Sequence, residues 1–145
     1  HPNNLETLNK LNLHIKQRDF WMPFAPAIMY EDRKKFLSLR KNVNYNYMTV
    51  GADLKKNQKK NLYSVIHQGD FSTRPLLVEK KNNFNFYKLI KNFKELSSIG
   101  VVLNTSLNIH GKPIVFLEKD LNEILNASKN LIEYIFIDGF LYKKK

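Results

Sequence analysis

The sequence predicts an α/β fold of the α+β kind: a twisted mixed sheet with helices packed on it. Three observations lead there. Short apolar runs bounded by Gly, Pro, Asn or Asp interleave along the chain with longer stretches of helical periodicity. The 145 residues are 43% hydrophobic and 12% aromatic, enough for one globular domain with a real core. No internal repeat is present, so a solenoid is excluded.

Asn3 or Asn4 can cap a first helix, whose Leu5, Leu8, Leu11 and Ile15 form one apolar stripe. Pro23 and Pro26 exclude helix, so residues 20–29 read as extended chain. Residues 31–39 read as a short helix, and the alternation from Tyr45 to Val50 reads as a strand. Residues 53–61 are lysine-rich helix or loop. Leu62 to His67 and Arg74 to Val78 read as two strands separated by the turn at Gly69-Asp70. Residues 84–96 are the clearest helix, with Phe86, Leu89, Ile90 and Phe93 on one face and Gly100 just beyond its end. Short strands follow at 101–103 and, entered through Pro113, at 114–116. Residues 117–129 form an amphipathic helix through Leu121, Ile124 and Leu125, with Glu118 and Asp120 at its positive end. Residues 132–137 and 140–142 are strands joined at Asp138-Gly139, a hairpin signal, and Lys143 to Lys145 form a solvated tail.

The formal net charge is +11, which suggests an anionic partner such as a phosphate-bearing metabolite or nucleic acid. The excess is mostly lysine. Of 24 Lys and Arg residues only Arg18, Arg33, Arg40 and Arg74 are arginine, so each marks a place where a planar fork is worth having. No apolar run reaches membrane-spanning length, and no leader pattern opens the chain. The absence of cysteine removes disulfides and thiolate metal sites and is compatible with a reducing, cytoplasmic setting. The abrupt start at His1-Pro2, one step from a helix, is expected of a piece of a longer protein.

Two groupings carry chemistry. In extended backbone past the strand at 101–103, Asn104, Ser106 and Asn108 share a face and can grip a small polar ligand. The alternative is an Asx/Ser turn that satisfies its own backbone. At the other end, Lys16 and Arg18 either hold phosphate oxygens or complement the dipole of the helix they close. His67 and Arg74 bracket the Gly69-Asp70 turn, and a lone histidine there is most simply a hydrogen-bonded structural residue. No Walker loop, dinucleotide fingerprint, nucleophile elbow or metal-ligand spacing occurs, so a self-contained hydrolase is excluded, and neither a catalytic side chain nor a metal site can be assigned.

Taken in order, Lys16-x-Arg18-Asp19-Phe20-Trp21-Met22-Pro23-Phe24-Ala25-Pro26, His67 followed by Arg74-Pro75, Leu103-Asn104-Thr105-Ser106-x-Asn108 and Gly111-x-Pro113-Ile114-Val115 resemble one family. It is the C-terminal region of the nodulation- and antibiotic-type O-carbamoyltransferases, and the likeness runs from about Asn3 to Tyr142. Leu76 and Leu107 stand where members commonly carry glutamine and phenylalanine; neither change removes a charge. The resemblance implies a YrdC-like domain that makes carbamoyl-adenylate from carbamoyl phosphate and ATP. A separate N-terminal domain then passes the carbamoyl group to an acceptor hydroxyl, using a bound iron. It also implies that Lys16, Arg18, His67, Arg74, Asn104, Ser106 and Asn108 bind ATP and carbamoyl phosphate, with Mg²⁺ arriving on ATP.

Residues 1–145 are accordingly expected to be one YrdC-like domain. It is expected to be incomplete, because the family's G-P-R-A-L-G segment and the whole transfer domain would lie upstream and be absent here. Lys16, Arg18, Arg74, Ser106 and Asn108 are expected to converge on one pocket. Without its partner domain the chain is expected not to carbamoylate an acceptor. The rival readings are a basic α/β module binding RNA, which would need a cationic groove with exposed aromatics, and a structural remnant that keeps the fold without activity.

Overall fold

Pro26 fits the extended backbone it enters, and Ala25–Met29 forms β1. The computed structural model describes His1 to Asp19 and Trp21 to Lys144; Phe20 and Lys145, which the sequence reading placed in an extended stretch and a tail, lie outside the described residues. Mixed helix and strand content bears out the α+β class, but the strands form small sheets rather than one. The described residues divide into two compact units, one of residues 1–5 with 21–105, the other of residues 6–19 with 106–144.

In the larger unit β1 is the middle strand of a mixed sheet. It pairs in parallel with β5 (Leu76–Val78) and antiparallel with β6 (Val101–Asn104), in the order β5-β1-β6. A second sheet is built from β2 (Leu37–Ser38), β3 (Ala52–Leu54) and β4 (Ser72–Thr73). The helix at the end of β1 is shorter than expected: a 3₁₀ turn at Tyr30–Asp32 leads into α2 (Arg33–Phe36), and Leu37 already belongs to a strand.

In the larger unit two expected strands are not strands. Around Tyr45–Val50, the Asn44 side chain accepts the Asn46 N–H at 2.8 Å, and Met48 has φ 55. An Asx turn and a left-handed residue cannot coexist with a ladder. Near Leu62 to His67 the chain winds into a 3₁₀ turn at Tyr63–Val65, and Leu62, Val65 and Ile66 are buried without joining a ladder.

Helix α3 (Phe84–Ser97) is as the periodicity predicts. It is capped by the Asn83 side chain, which accepts from Phe86 N, and is ended by left-handed Ser98. Its buried face carries Phe86, Tyr87 and Ile90 against Ala27, Met29 and Val78, whereas Leu89 points to solvent, a correction to the predicted stripe. Ile90→Ala should therefore cost about 2–5 kcal/mol. Leu89→Ala should change little, as urea unfolding of both variants will show.

In the smaller unit, the helix opened by α1 (Leu5–Lys10) does not continue regularly; Leu11–Lys16 is π-helical. The widened turn wraps buried Asn12, whose carbonyl accepts the N–H groups of both Gln17 and Arg18. That turn lies against α4 (Glu118–Ala127), whose start is tied down by Asp120 accepting from Leu117 N at 2.9 Å. The expected strand at 114–116 has no ladder; with α4 it lines a hollow of about 130 Å³. Strands β7 (Tyr134–Ile137) and β8 (Phe140–Lys143) form the expected hairpin, with Asp138 and Gly139 at φ 50 and 88, both positive as a type I′ turn requires. The tail is less free than expected: Lys143 ends β8, and Lys144 bonds Glu133 O and Leu125 O.

Candidate functional site

Lys16 closes the π-helical turn and is almost fully buried, at 3% exposure. Its ammonium donates to Ser106 O at 2.8 Å, Ser106 Oγ at 3.2 Å and Asn108 Oδ1 at 2.6 Å. Three donors meet three oxygens across 90 or more positions of sequence. Ser106 Oγ in turn donates to Asn108 Oδ1 at 2.5 Å, and Asn108 Nδ2 donates to Lys112 O at 2.7 Å. The chain bends at 107–108, so Ser106 and Asn108 meet through a closed loop rather than along an extended face.

Burial is the main force pushing the Lys16 ammonium down, to about 8, and the neighbouring Arg18 charge adds to it. Neutral acceptors solvate the ammonium, but no carboxylate stands among its three partners. A buried cation of this kind favours an incoming anion.

The chain is not extended from Lys16 to Arg18. Gln17 is left-handed at φ 51, which turns the backbone, and Arg18 Nε donates to Asn12 Oδ1 at 2.8 Å. Burial lowers the Arg18 pKa too. Asn12 escaped the sequence reading; its signal was a polar residue in the apolar register of a helix.

His67 and Arg74 come together in the larger unit, lining a hollow of about 250 Å³ with Pro23, Phe24 and Asp70. Arg74 does not open the strand: β4 ends at Thr73 and β5 starts at Leu76. Its guanidinium is exposed. His67 Nδ1 lies 3.2 Å from Asp70 Oδ1, and the same carboxylate accepts Ser72 N at 2.9 Å, which is the main cause of its lowered pKa. Asp70, read as a turn residue, thus also orients the histidine. Asn104 ends β6, and its Nδ2 lies 3.5 Å from Met48 Sδ.

Cations, amides and hydroxyls dominate both groups, a chemistry suited to phosphate and carbonyl oxygens. Among the described residues no three His, Asp or Glu side chains gather as metal ligands. The residues present therefore do not form a divalent-cation cage. Among the described residues no helix is long and apolar enough to cross a membrane.

Comparison with known proteins identifies the class to which this small α+β chain belongs. Residues 1–144 match the model of the carbamoyltransferase C-terminus. The chain belongs to that family. It is 34% identical to an uncharacterized protein of Methanocaldococcus jannaschii over 145 residues, 99% of this chain and 23% of the relative. It is 29% identical to the nodulation protein NolO of Bradyrhizobium diazoefficiens over 99% of this chain and 26% of that protein. It is 30% identical to the 3'-hydroxymethylcephem-O-carbamoyltransferase of Amycolatopsis lactamdurans over 83% of this chain and 22% of that enzyme. The chain thus spans about a quarter of the length of these relatives.

Proposed function

We propose that this chain serves an O-carbamoyltransferase by binding ATP and carbamoyl phosphate and joining them as carbamoyl-adenylate, which a further domain transfers to a hydroxyl acceptor. The observation that carries the reading is the Lys16 ammonium, buried and held on Ser106 and Asn108, within a chain of this family.

Both substrates are polyanions, so bringing them together concentrates negative charge. Water takes the phosphoryl group of carbamoyl phosphate as inorganic phosphate, and the carbamate oxygen so freed bonds to the α-phosphorus of ATP while the bond to pyrophosphate breaks. Fixed cations stabilise the charge that develops, and positioned amides orient the reacting groups. Lys16 supplies the cation. Ser106 and Asn108 place hydroxyl and amide atoms around it, and Arg18, held by Asn12, adds a second charge. Arg74, with its exposed fork, offers bidentate contact to phosphate oxygens, and His67, oriented by Asp70, offers a further nitrogen. Asn104 is assigned a positioning part at the end of β6. No covalent nucleophile is required. Mg²⁺ would enter on the ATP phosphates, and none of these roles depends on it.

Arg18→Lys and Arg74→Lys keep the charge but lose the fork, so each should weaken ATP or carbamoyl phosphate binding by about 1.5–3 kcal/mol per lost contact. Calorimetric titration of each variant tests this. Replacing exposed Lys55 and Lys56 should leave affinity unchanged. Equal affinity in wild type and both arginine variants would remove the arginines from the site. Carbamoyl-phosphate-dependent exchange of labelled pyrophosphate into ATP, measured in the full-length enzyme, tests the reaction itself; its absence would refute the adenylate assignment.

A further inference from the structure

Two of the four arginines, Arg33 and Arg40, belong to neither group above. They line a cavity of about 540 Å³ in the larger unit, together with Lys34 and Lys41. Its place in the fold separates it from the His67–Arg74 hollow. Strands β1 and β5 run parallel, and the cavity is lined by Tyr30 and Glu79, the residues that follow their C-terminal ends. The His67–Arg74 hollow is lined by residues at the other end of the pair, with Ala25 opening β1 and Arg74 just ahead of β5. The C-terminal edge of parallel strands is where open α/β sheets collect their ligands.

The charges around this cavity are unbalanced. Four cations line it, and Glu79 is its one carboxylate. That carboxylate is already engaged, by Lys81 Nζ at 3.0 Å and by Asn46 Nδ2 at 3.0 Å. Arg33 is pre-positioned: its guanidinium lies 3.6 Å over the Tyr30 ring, and Nη1 donates to Tyr30 O at 2.6 Å. The fork keeps further N–H donors. Among the described residues no hydrogen bond or ion pair engages the side chains of Lys34, Arg40 or Lys41. The loop that carries Arg40 and Lys41 is ordered from within, since Arg40 N donates to the hydroxyl of buried Tyr45 at 3.2 Å. Like charges held around a hollow repel one another, and an anion relieves that repulsion.

We propose that this cavity is a second anion site, taking a small phosphate ester of nucleotide size. Arg33 and Arg40 grip the phosphate, Lys34 and Lys41 add charge, and the amides of Asn44 and Asn46 meet the polar groups of the organic part. The size supports an ester over a bare ion, because 540 Å³ falls within the ~300–1,000 Å³ typical of small-molecule pockets. The proposal is independent of the carbamoyl-adenylate reading, since it uses none of that site's residues.

The test is amide chemical-shift titration of the 145-residue chain with AMP, ADP and inorganic phosphate as separate probes. The expected result is saturable shifts at Val43, Asn44, Asn46 and Glu79, with at least tenfold tighter binding of AMP or ADP than of inorganic phosphate. Arg40→Gln with Lys41→Gln, both exposed, should weaken those shifts at least tenfold while the spectrum stays folded. The same substitutions should leave any nucleotide response at His67 and Arg74 intact. No saturation at 43–46, unchanged affinity in the double variant, or inorganic phosphate binding as tightly as AMP would each overturn the assignment. Loss of the nucleotide response at His67 alone, in an Arg74→Gln chain that still binds AMP at 43–46, would separate this site from the carbamoyl-adenylate site.

Discussion

Lys16→Met should abolish measurable binding of carbamoyl phosphate while lowering the melting temperature by only a few degrees. The two effects separate because the ammonium plays opposite parts in them. For a ligand it is the buried charge, and loss of charge-assisted contacts at about 1.5–3 kcal/mol each removes one to two orders of magnitude of affinity per contact. For the fold it is a burden at neutral pH. Holding a lysine charged when its pKa has fallen to about 8 disfavours the folded state by on the order of 3 kcal/mol, which offsets much of what its three hydrogen bonds return. The oxygens it leaves behind on exposed Ser106 and half-buried Asn108 can be taken over by water.

The same residue gives a pH signature. Below about 8 the Lys16 amine is charged, and as pH rises through 8 it becomes neutral, so on the proposed role its affinity for carbamoyl phosphate should fall. Stability runs the other way. Between about 8 and the ordinary lysine range, the unfolded chain holds a proton that the folded chain has released, so stability rises with pH across that window. Carbamoyl phosphate titrations from pH 7 to 9.5, paired with urea unfolding at each pH, should show affinity and stability moving in opposite directions. Parallel movement would show that Lys16 is not the titrating group.

Local signals carried well into the structure wherever they were self-sufficient. The Asp138-Gly139 pair dictated a hairpin because both positions need positive φ, and Asn83 with the periodicity after it dictated α3. Strand signals failed where a strand depends on a partner. Ile114–Phe116 and Leu62–His67 are apolar in the right way, yet neither finds a ladder: Ile114 and Phe116 stay exposed, while Leu62, Val65 and Ile66 are buried by packing alone. The π-helical turn was invisible because its cause, Asn12 bonding Arg18, joins residues on a wider spiral than 3.6 periodicity describes. The contact of Lys16 with Ser106 and Asn108 was legible as two alternate-residue motifs. The cavity around Arg33 and Arg40 was legible only as an oddity of composition, two arginines kept in a lysine-rich chain, since its walls come from separate loops.

Gly100→Ala should destabilise the larger unit severely, although the position looks permissive. Its φ is not in the left-handed region, so the backbone itself would accept alanine. Space is what forbids it: a Cβ at Gly100 would collide with Asp32 Oδ2 and crowd the Lys94 side chain. Those two side chains form an ion pair between the turn after β1 and α3, with Lys94 Nζ 2.7 Å from Asp32 Oδ2. The methyl group must therefore expel a mostly buried carboxylate or push Gly100 away from Met29, whose N–H donates to Gly100 O at 3.0 Å. Overpacking of this kind costs about 1–3 kcal/mol, and loss of the ion pair adds to it. Asp32→Ala provides the decisive comparison, because it removes the atom that the new methyl strikes. In a double-mutant cycle by urea unfolding, Gly100→Ala should cost far less in the Asp32→Ala background than in the wild type, a coupling within the 0.5–3 kcal/mol range usual for touching residues. If the two substitutions simply add, the collision with Asp32 is not what makes glycine necessary, and the tight approach of Gly100 to Met29 must carry the effect instead.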